Sequence, residues 1–191
     1  MAITSTPRDA ALIDALEAKE HDKFEGTIWR VVREGRDPTQ CSASGGRWDD
    51  GTFDVLYTAL KSDGAIAEMF FHLAKGQPVF PSKLRYSLHE LRVSVSDIMT
   101  FADVKALEAM GMNTTKYGQL SYETRVQEYP STQQIAEGAH FLGYKGVQVP
   151  NARWPCSNLV LFCDMIEPGN VEAVRDHGLI DWAEWQTHEK P

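Results

Sequence analysis

Hydrophobic and polar positions change period several times along the chain, and each change predicts an element. Near the start, "STPRDAALIDALEAKE" places Ala10, Leu12, Ile13 and Leu16 at near-helical spacing behind a Ser/Thr/Pro opening, which predicts a leading amphipathic helix. "GTIWRVV" predicts a strand in which Ile28, Arg30 and Val32 share one face by the two-residue period. A guanidinium between two apolar neighbours is an unusual arrangement. The Gly/Ser-rich "CSASGGRWDDGT" reads as a loop, and "FDVLYTAL" as a second strand with Phe53, Val55, Tyr57 and Ala59 on one side. In "SDGAIAEMFFHLA", Ile66, Met69, Phe70 and Leu73 form a helical stripe. Glu68 lies about 200° around from Ile66, off that stripe, with Phe71 and His72 one turn further along its own face.

Further on, "HELRVSVSDIM" alternates so that Leu91, Val93 and Val95 face one way, a third strand. "TFADVKALEAMG" predicts a helix with Thr100 as N-cap, Asp103 in the capping-box position and Gly111 as the stop. Met112 to Pro130 is polar and aromatic without a period and reads as a long loop, the kind of segment that carries substrate or partner contacts. "STQQIAEGAHFLG" restores a helix, with Ser131 and Gln134 as capping box and Gly143 as the stop. "GVQV" and "NLVLF" are short apolar strands around the loop "PNARWPCS", and "NVEAVRDHG" reads as a short capped helix. Strands and helices mix without regular βαβ alternation, which favours an α+β domain over a doubly wound sheet.

Composition narrows the function. The 191 residues suit one domain, and 42% hydrophobic residues supply a core. A net charge of −8 argues against enclosing nucleic acid, which needs a dense basic footprint, but leaves room for a local basic pocket. Cys41, Cys156 and Cys163 form no CxxC pair, so neither a disulfide framework nor a zinc ribbon is expected, and the compartment reads as reducing. A nucleophilic Cys41 stands as an alternative to an inert one. No signal segment or membrane-length apolar run occurs, so a cytoplasmic protein without membrane contact is expected. G-x-G-x-x-G, P-loop, H-E-x-x-H and G-x-S-x-G patterns are missing, and the six histidines lack metal-ligand spacing.

What remains is Arg30, Arg47, Tyr57 and Glu68. Taken singly each has a plainer reading: a strand arginine turned to solvent, a solvated loop residue, a core tyrosine with its hydroxyl at the rim, a solvated helix glutamate. Taken in order, "WR", "GGRW", "VLYTA" and "AIAEM", followed by "STQQIAEGAHFLGYKGVQVPNAR" and "NLVLF", the chain resembles the RES domain family from about Thr27 to Phe162. That family is named for its arginine, glutamate and serine, and its fold is similar to that of ADP-ribosyltransferases. The resemblance implies a single domain with mixed central sheets and flanking helices. Residues 1–26 would be a helical extension, 27–165 the catalytic domain, and 166–191 a C-terminal extension packed on it. Arg30 and Glu68 would be the family arginine and glutamate, Arg47 the arginine of "GRW", and Tyr57 the tyrosine of "LY". Members commonly carry Pro-Ser-Ala-Arg where this chain has Pro150, Asn151, Ala152 and Arg153, so Asn151 stands in the serine's place and Ser157 follows six residues later. Either would supply a neutral hydrogen bond to ligand.

The resemblance also implies chemistry. Such proteins cleave the nicotinamide–ribose bond of NAD and pass ADP-ribose to an acceptor, with no metal. Positive charge builds on the ribose as nicotinamide leaves, as in glycoside cleavage. Glu68 is the candidate to oppose that charge, Arg30 and Arg47 to anchor the pyrophosphate, and Tyr57 to stack on nicotinamide. Many members are bacterial toxins held by an antitoxin with a helix-turn-helix part that blocks the cleft. The acceptor is a protein, for example an enzyme of nucleotide synthesis such as phosphoribosyl pyrophosphate synthetase, or else water or phosphate, which drains the NAD pool. We favour the protein acceptor. A module that binds NAD without turning it over, or a plain interaction protein, are the readings from other classes.

Overall fold

The long strand β3 (Tyr86–Thr100) organises the computed structural model, which describes residues 8–74, 85–119 and 129–187. Along one edge, β1 (Asp22–Arg33) runs antiparallel for nearly its whole length, with Ile28 opposite Leu91 and Gly26 opposite Val93. The other edge takes two partners. β6 (Val171–Leu179) pairs antiparallel with the first half, and β4 (Gly146–Pro150) pairs parallel with the last residues, from Ile98 to Thr100. From β4 the sheet continues antiparallel to β5 (Ser157–Phe162) and then to β2 (Val55–Ala59), which returns to β1 where Ala59 meets Trp29.

The sheet therefore folds over on itself. Ile28, Leu91, Val93 and Val95 from β1 and β3 meet Leu56, Leu159 and Leu161 from β2 and β5 in one apolar layer. Burying each such side chain contributes roughly 1.5–3 kcal/mol, so the alternation of "LRVSVS" fixes both the face and the register of β3. The opposite face of β2, β4 and β5 builds a second core. There Val55, Val147, Val149, Val160 and Phe162 pack with Leu16 of α1 (Ala10–Glu17) and with Ile135, Ala136 and Ala139 of α4 (Tyr129–Phe141). β2 is covered on both faces, and Tyr57, partly buried, packs against that second core.

α2 (Ser62–Ala74) closes the end of the sheet, with Ala65 against Val31 and Ala59. Its small residues let it sit close, while Trp182 and Trp185 of α5 (Trp182–Thr187) cover Ala67 from outside. α5 starts where the Asp181 carboxylate accepts the amides of Ala183 and Glu184, a capping signal that the apolar period alone does not reveal.

The α+β architecture matches the sequence reading, with four corrections. "NVEAVRDHG" is the edge strand β6 and not a helix, because β3 offers an open row of backbone donors and acceptors that outweighs a helix-like spacing in a largely exposed segment. Thr100 ends β3, and the cap of α3 (Val104–Glu108) is Asp103, whose carboxylate accepts the Ala106 amide. α4 includes Tyr129 and Pro130 ahead of Ser131, since a first helical turn has no use for the missing proline N–H. Finally, Cys41 and Cys163 are joined in a disulfide and only Cys156 is a free thiol, so Cys41 is no nucleophile. Spacing could not reveal this pair, since 122 residues separate it. The predicted loop from Met112 lies partly outside the described residues; Met112 to Thr114 are irregular and Thr115 to Gln119 form turns.

Closing a loop of that length restrains the unfolded chain, so Cys41→Ser should lower the unfolding free energy by about 2–4 kcal/mol in denaturant titration. Thiol titration of denatured, unreduced protein should find Cys156 alone, and all three cysteines after reduction.

Candidate active site

Between the folded-over sheet and α2 lies a cleft of about 400 Å³, within the usual range of roughly 300–1,000 Å³ for small-molecule sites. Its walls bring together Arg30 from β1, Arg47 and the glycines from the 44–48 loop, Tyr57 from β2, and Glu68, Phe71 and His72 from one face of α2. Arg153 and Asn158 complete it from the segment joining β4 to β5. Three guanidiniums thus face one carboxylate, in a chain whose net charge is −8. A wider depression of about 670 Å³ lined by Arg8, Asp54, Glu137, His140 and Asp164 has its charges turned on one another: Arg8 donates to Glu137 at 2.7 Å and His140 sits 2.9 Å from Asp164. It is also more open, and we assign no chemistry to it.

The loop carrying Arg47 is shaped by a buried acid. Asp49 is fully buried, and its carboxylate accepts the amides of Gly45 at 2.6 Å and Gly46 at 2.8 Å and the phenol of Tyr57 at 2.8 Å. Charge-assisted hydrogen bonds of this kind each contribute roughly 1.5–3 kcal/mol, which offsets the cost of taking a carboxylate out of water. Tyr57 closes the ring by accepting the Trp48 amide at 2.8 Å. Gly46 is required here: a Cβ would stand 2.6 Å from the Tyr57 hydroxyl and 2.9 Å from Asp49 Oδ2. From α4, Gln133 Nε2 donates to the carbonyls of Gly46 and Asp49 at 2.8 and 3.0 Å, and the Thr132 hydroxyl donates to that of Arg47. Arg47 itself lies 4.9 and 5.1 Å from the ring centres of Tyr117 and Tyr129. The loop is thus bonded to β2 on one side and to α4 on the other.

Arg30 is half-buried by a different device. Its Nη1 donates to the carbonyls of Pro38 and Gln40, both at 2.7 Å. Burial pushes the guanidinium down to about 10, against the pull of Asp37, so it stays charged at neutral pH. Across the cleft, Arg153 lies 3.3 Å over the ring centre of Phe71, and its Nε is buried without a hydrogen-bond partner among the described residues. Burial lowers this guanidinium too, opposed by Glu68. The Glu68 carboxylate accepts long bonds from the Ala152 amide at 3.3 Å and Asn158 Nδ2 at 3.4 Å. Tyr57 is held well above the usual phenol range, first by burial and then by Asp49, so it remains a neutral donor.

The segment joining β4 to β5, which carries Arg153, is held by close contacts behind the cleft. Tyr117 donates its hydroxyl to the Pro150 carbonyl at 2.7 Å, and Gly118, at φ +74°, lies so near that a Cβ would come within 2.3 Å of the Ala152 carbonyl.

Of the residues singled out in the sequence, Arg30, Arg47, Tyr57 and Glu68 line one cleft. Asn151 and Ser157 do not line it. Asn151 is buried with its side chain engaged inside the protein, and Ser157 opens β5 opposite Pro150, its carbonyl accepting the Leu60 amide. The sequence reading missed Asp49, Gln133, Arg153 and Asn158. Arg153 and Asn158 stand in the quoted "NAR" and "NLVLF" motifs, so polar residues flanking an apolar strand were the available signal; nothing marked Asp49 apart from other loop acids. Among the described residues no group of three His, Cys, Asp or Glu side chains could hold a metal, and no helix is long and apolar enough to cross a membrane.

With three guanidiniums, aromatic rings and one carboxylate in its lining, the cleft has the groups to hold an anionic, ring-bearing ligand. The RES domain family model matches residues 27–183, and the chain belongs to that family. In fold it is similar to a chain of the crystal structure of the M. tuberculosis MbcT-MbcA toxin-antitoxin complex, with a TM-score of 0.76 and 21% identity over 93% of this chain and 96% of that one. Comparison with curated protein sequences gave no match.

Replacing Asp49 by alanine leaves two amides and a phenol without their acceptor, and should cost about 2–4 kcal/mol in urea unfolding. Gly118→Ala should also destabilise the protein, through the Ala152 contact, with a lower melting temperature as the readout.

Proposed function

We propose that this protein is the toxin of a bacterial toxin–antitoxin pair that consumes NAD, transferring its ADP-ribose to a protein acceptor. The observation that carries the reading is the set of three guanidiniums beside one carboxylate in an otherwise acidic molecule. A dinucleotide pyrophosphate needs bidentate cationic donors, and Arg30 and Arg47 offer them from mounts fixed before ligand arrives. Family membership and the likeness to a toxin–antitoxin chain support the same reading.

In this account the bond between ribose C1′ and the nicotinamide nitrogen breaks, and its electron pair leaves with the ring, which becomes neutral. Charge builds on the ribose beside Glu68, whose carboxylate opposes it in a half-buried setting. The acceptor's nucleophile then bonds to C1′ and gives its proton to Glu68 or solvent. Tyr57 and Phe71 supply ring faces, while Asp49 keeps Tyr57 in place. Tyr129, at the start of α4, lines the cleft, and Tyr117 and Gly118 brace the β4–β5 segment that carries Arg153; this aromatic rim supplies a surface for a protein acceptor and favours that reading. An antitoxin bearing a helix-turn-helix part would silence the site by filling the cleft with an anionic segment. The protein would act in the cytoplasm, where thiol reductants compete with the Cys41–Cys163 bond.

Purified protein, oxidised and reduced, should release nicotinamide from NAD, and label on the adenylate phosphate should settle on one protein band from lysate. Glu68→Gln should lower release by about 10²–10³-fold while the NAD-induced thermal shift persists. Arg47→Ala should act mainly on KM. A parental rate from Glu68→Gln would overturn the assignment, and label recovered only as free ADP-ribose or its phosphate would replace the transferase by an NAD-depleting enzyme.

A further inference from the structure

Asn151 makes every hydrogen bond its side chain can direct inward, and the pattern fixes a second amide. Its Oδ1 accepts the backbone amides of Arg153 at 2.7 Å and Trp154 at 2.9 Å. Those two partners are donors in any protonation state, so that atom must be oxygen and its neighbour must be the NH₂ group. The Nδ2 then donates to Asn158 Oδ1 at 2.7 Å and to the Gly64 carbonyl at 3.4 Å. The orientation of Asn158 follows in turn. With its oxygen held by Asn151, its own NH₂ is directed at Glu68 Oε1, 3.4 Å away. Asn158 lines the cleft and Asn151 does not.

We infer that Asn151 and Asn158 form a positioning relay that presents an amide donor to the Glu68 carboxylate. The inference rests on the proposed role of Glu68 and deepens it: Asn151 neither binds ligand nor reacts, and acts only by deciding which end of Asn158 faces the acid. A carboxylate near a developing cation must be held in one place, since a displacement of about 1 Å costs on the order of 10²-fold in rate. Glu68 is reached by two donors, the Ala152 amide and Asn158, and the same segment supplies both.

The relay makes an unusual prediction for a one-atom change. In Asn151→Asp one carboxylate oxygen still accepts both turn amides, which keeps the turn, while the long bond to the Gly64 carbonyl is lost. The other oxygen now faces Asn158, whose amide must turn over to donate to it, and its oxygen then confronts Glu68. Asn151→Ser offers one hydroxyl on a shorter side chain in place of two polar atoms, so Asn158 loses its fixing donor but meets no carboxylate that makes its amide turn over. With NAD as substrate, Asn151→Asp should lower kcat by about 10–100-fold with KM changed less than about threefold, and Asn151→Ser, which frees Asn158 without turning it, should lower kcat by less than Asn151→Asp does. A residue that merely capped the turn would leave kcat untouched in Asn151→Asp. The chain has four asparagines, so their side-chain amide resonances can be resolved with selective labelling. The Asn158 pair should shift in Glu68→Gln and in Asn151→Asp. Asn158 resonances indifferent to Glu68→Gln and Asn151→Asp would overturn the relay, as would full turnover by Asn151→Asp. If the parent releases no nicotinamide at all, the NAD reading falls by itself and the resonances still decide the relay.

Discussion

The buried carboxylate of Asp49 is the joint on which the cleft depends. It ties the amides of Gly45 and Gly46 to the phenol of Tyr57, and so fastens the loop that carries Arg47 to the central strand β2. Through the backbone of the same loop, Gln133 and Thr132 connect the mount to α4. A charge placed fully out of water is tolerated only when its acceptor sites are filled, and here the donors that fill them are the elements needing alignment. The network therefore positions the cation at the cleft and stabilises the fold by the same bonds.

Electrostatics give the cleft its character against the sign of the whole molecule. Arg30 is kept by carbonyl oxygens, which hold a guanidinium without neutralising it, and Arg153 by an aromatic face. Positive potential is preserved in the cleft, while the acids that set the net charge lie mostly elsewhere. Glu68 is the exception, reached by neutral amide donors at the edge of this field.

How far the sequence carried depended on whether period or partner decided the outcome. β3 was legible because its two-residue period reports directly on burial. The places of β1, β2 and α2 were legible too, but α2 buries Gly64, Ala65 and Ala67 while the Ile66, Met69, Phe70 and Leu73 stripe is only partly buried, and β2 is covered on both faces. Glu68, Phe71 and His72 were placed on one helix face by counting alone and do line the cleft together. β6 was misread, since an exposed edge strand takes its conformation from the strand beside it and has little burial pattern of its own. The Cys41–Cys163 pair and the roles of Asp49 and Asn158 join residues distant along the chain or unremarkable in it, and only the folded arrangement reveals them. Asn151 shows the limit of carrying a motif across: its position matches that of the family serine, yet its side chain faces inward.

The central claim is that the guanidiniums of Arg30 and Arg47 receive a pyrophosphate while Glu68 stands at the ribose. A crystal structure of the Glu68→Gln protein with intact NAD bound tests it most directly. The account predicts pyrophosphate oxygens within hydrogen-bond distance of both arginines and the nicotinamide-bearing ribose carbon against the side chain at position 68. A dinucleotide lodged in the depression around His140, or one whose phosphates face away from both guanidiniums, would contradict it.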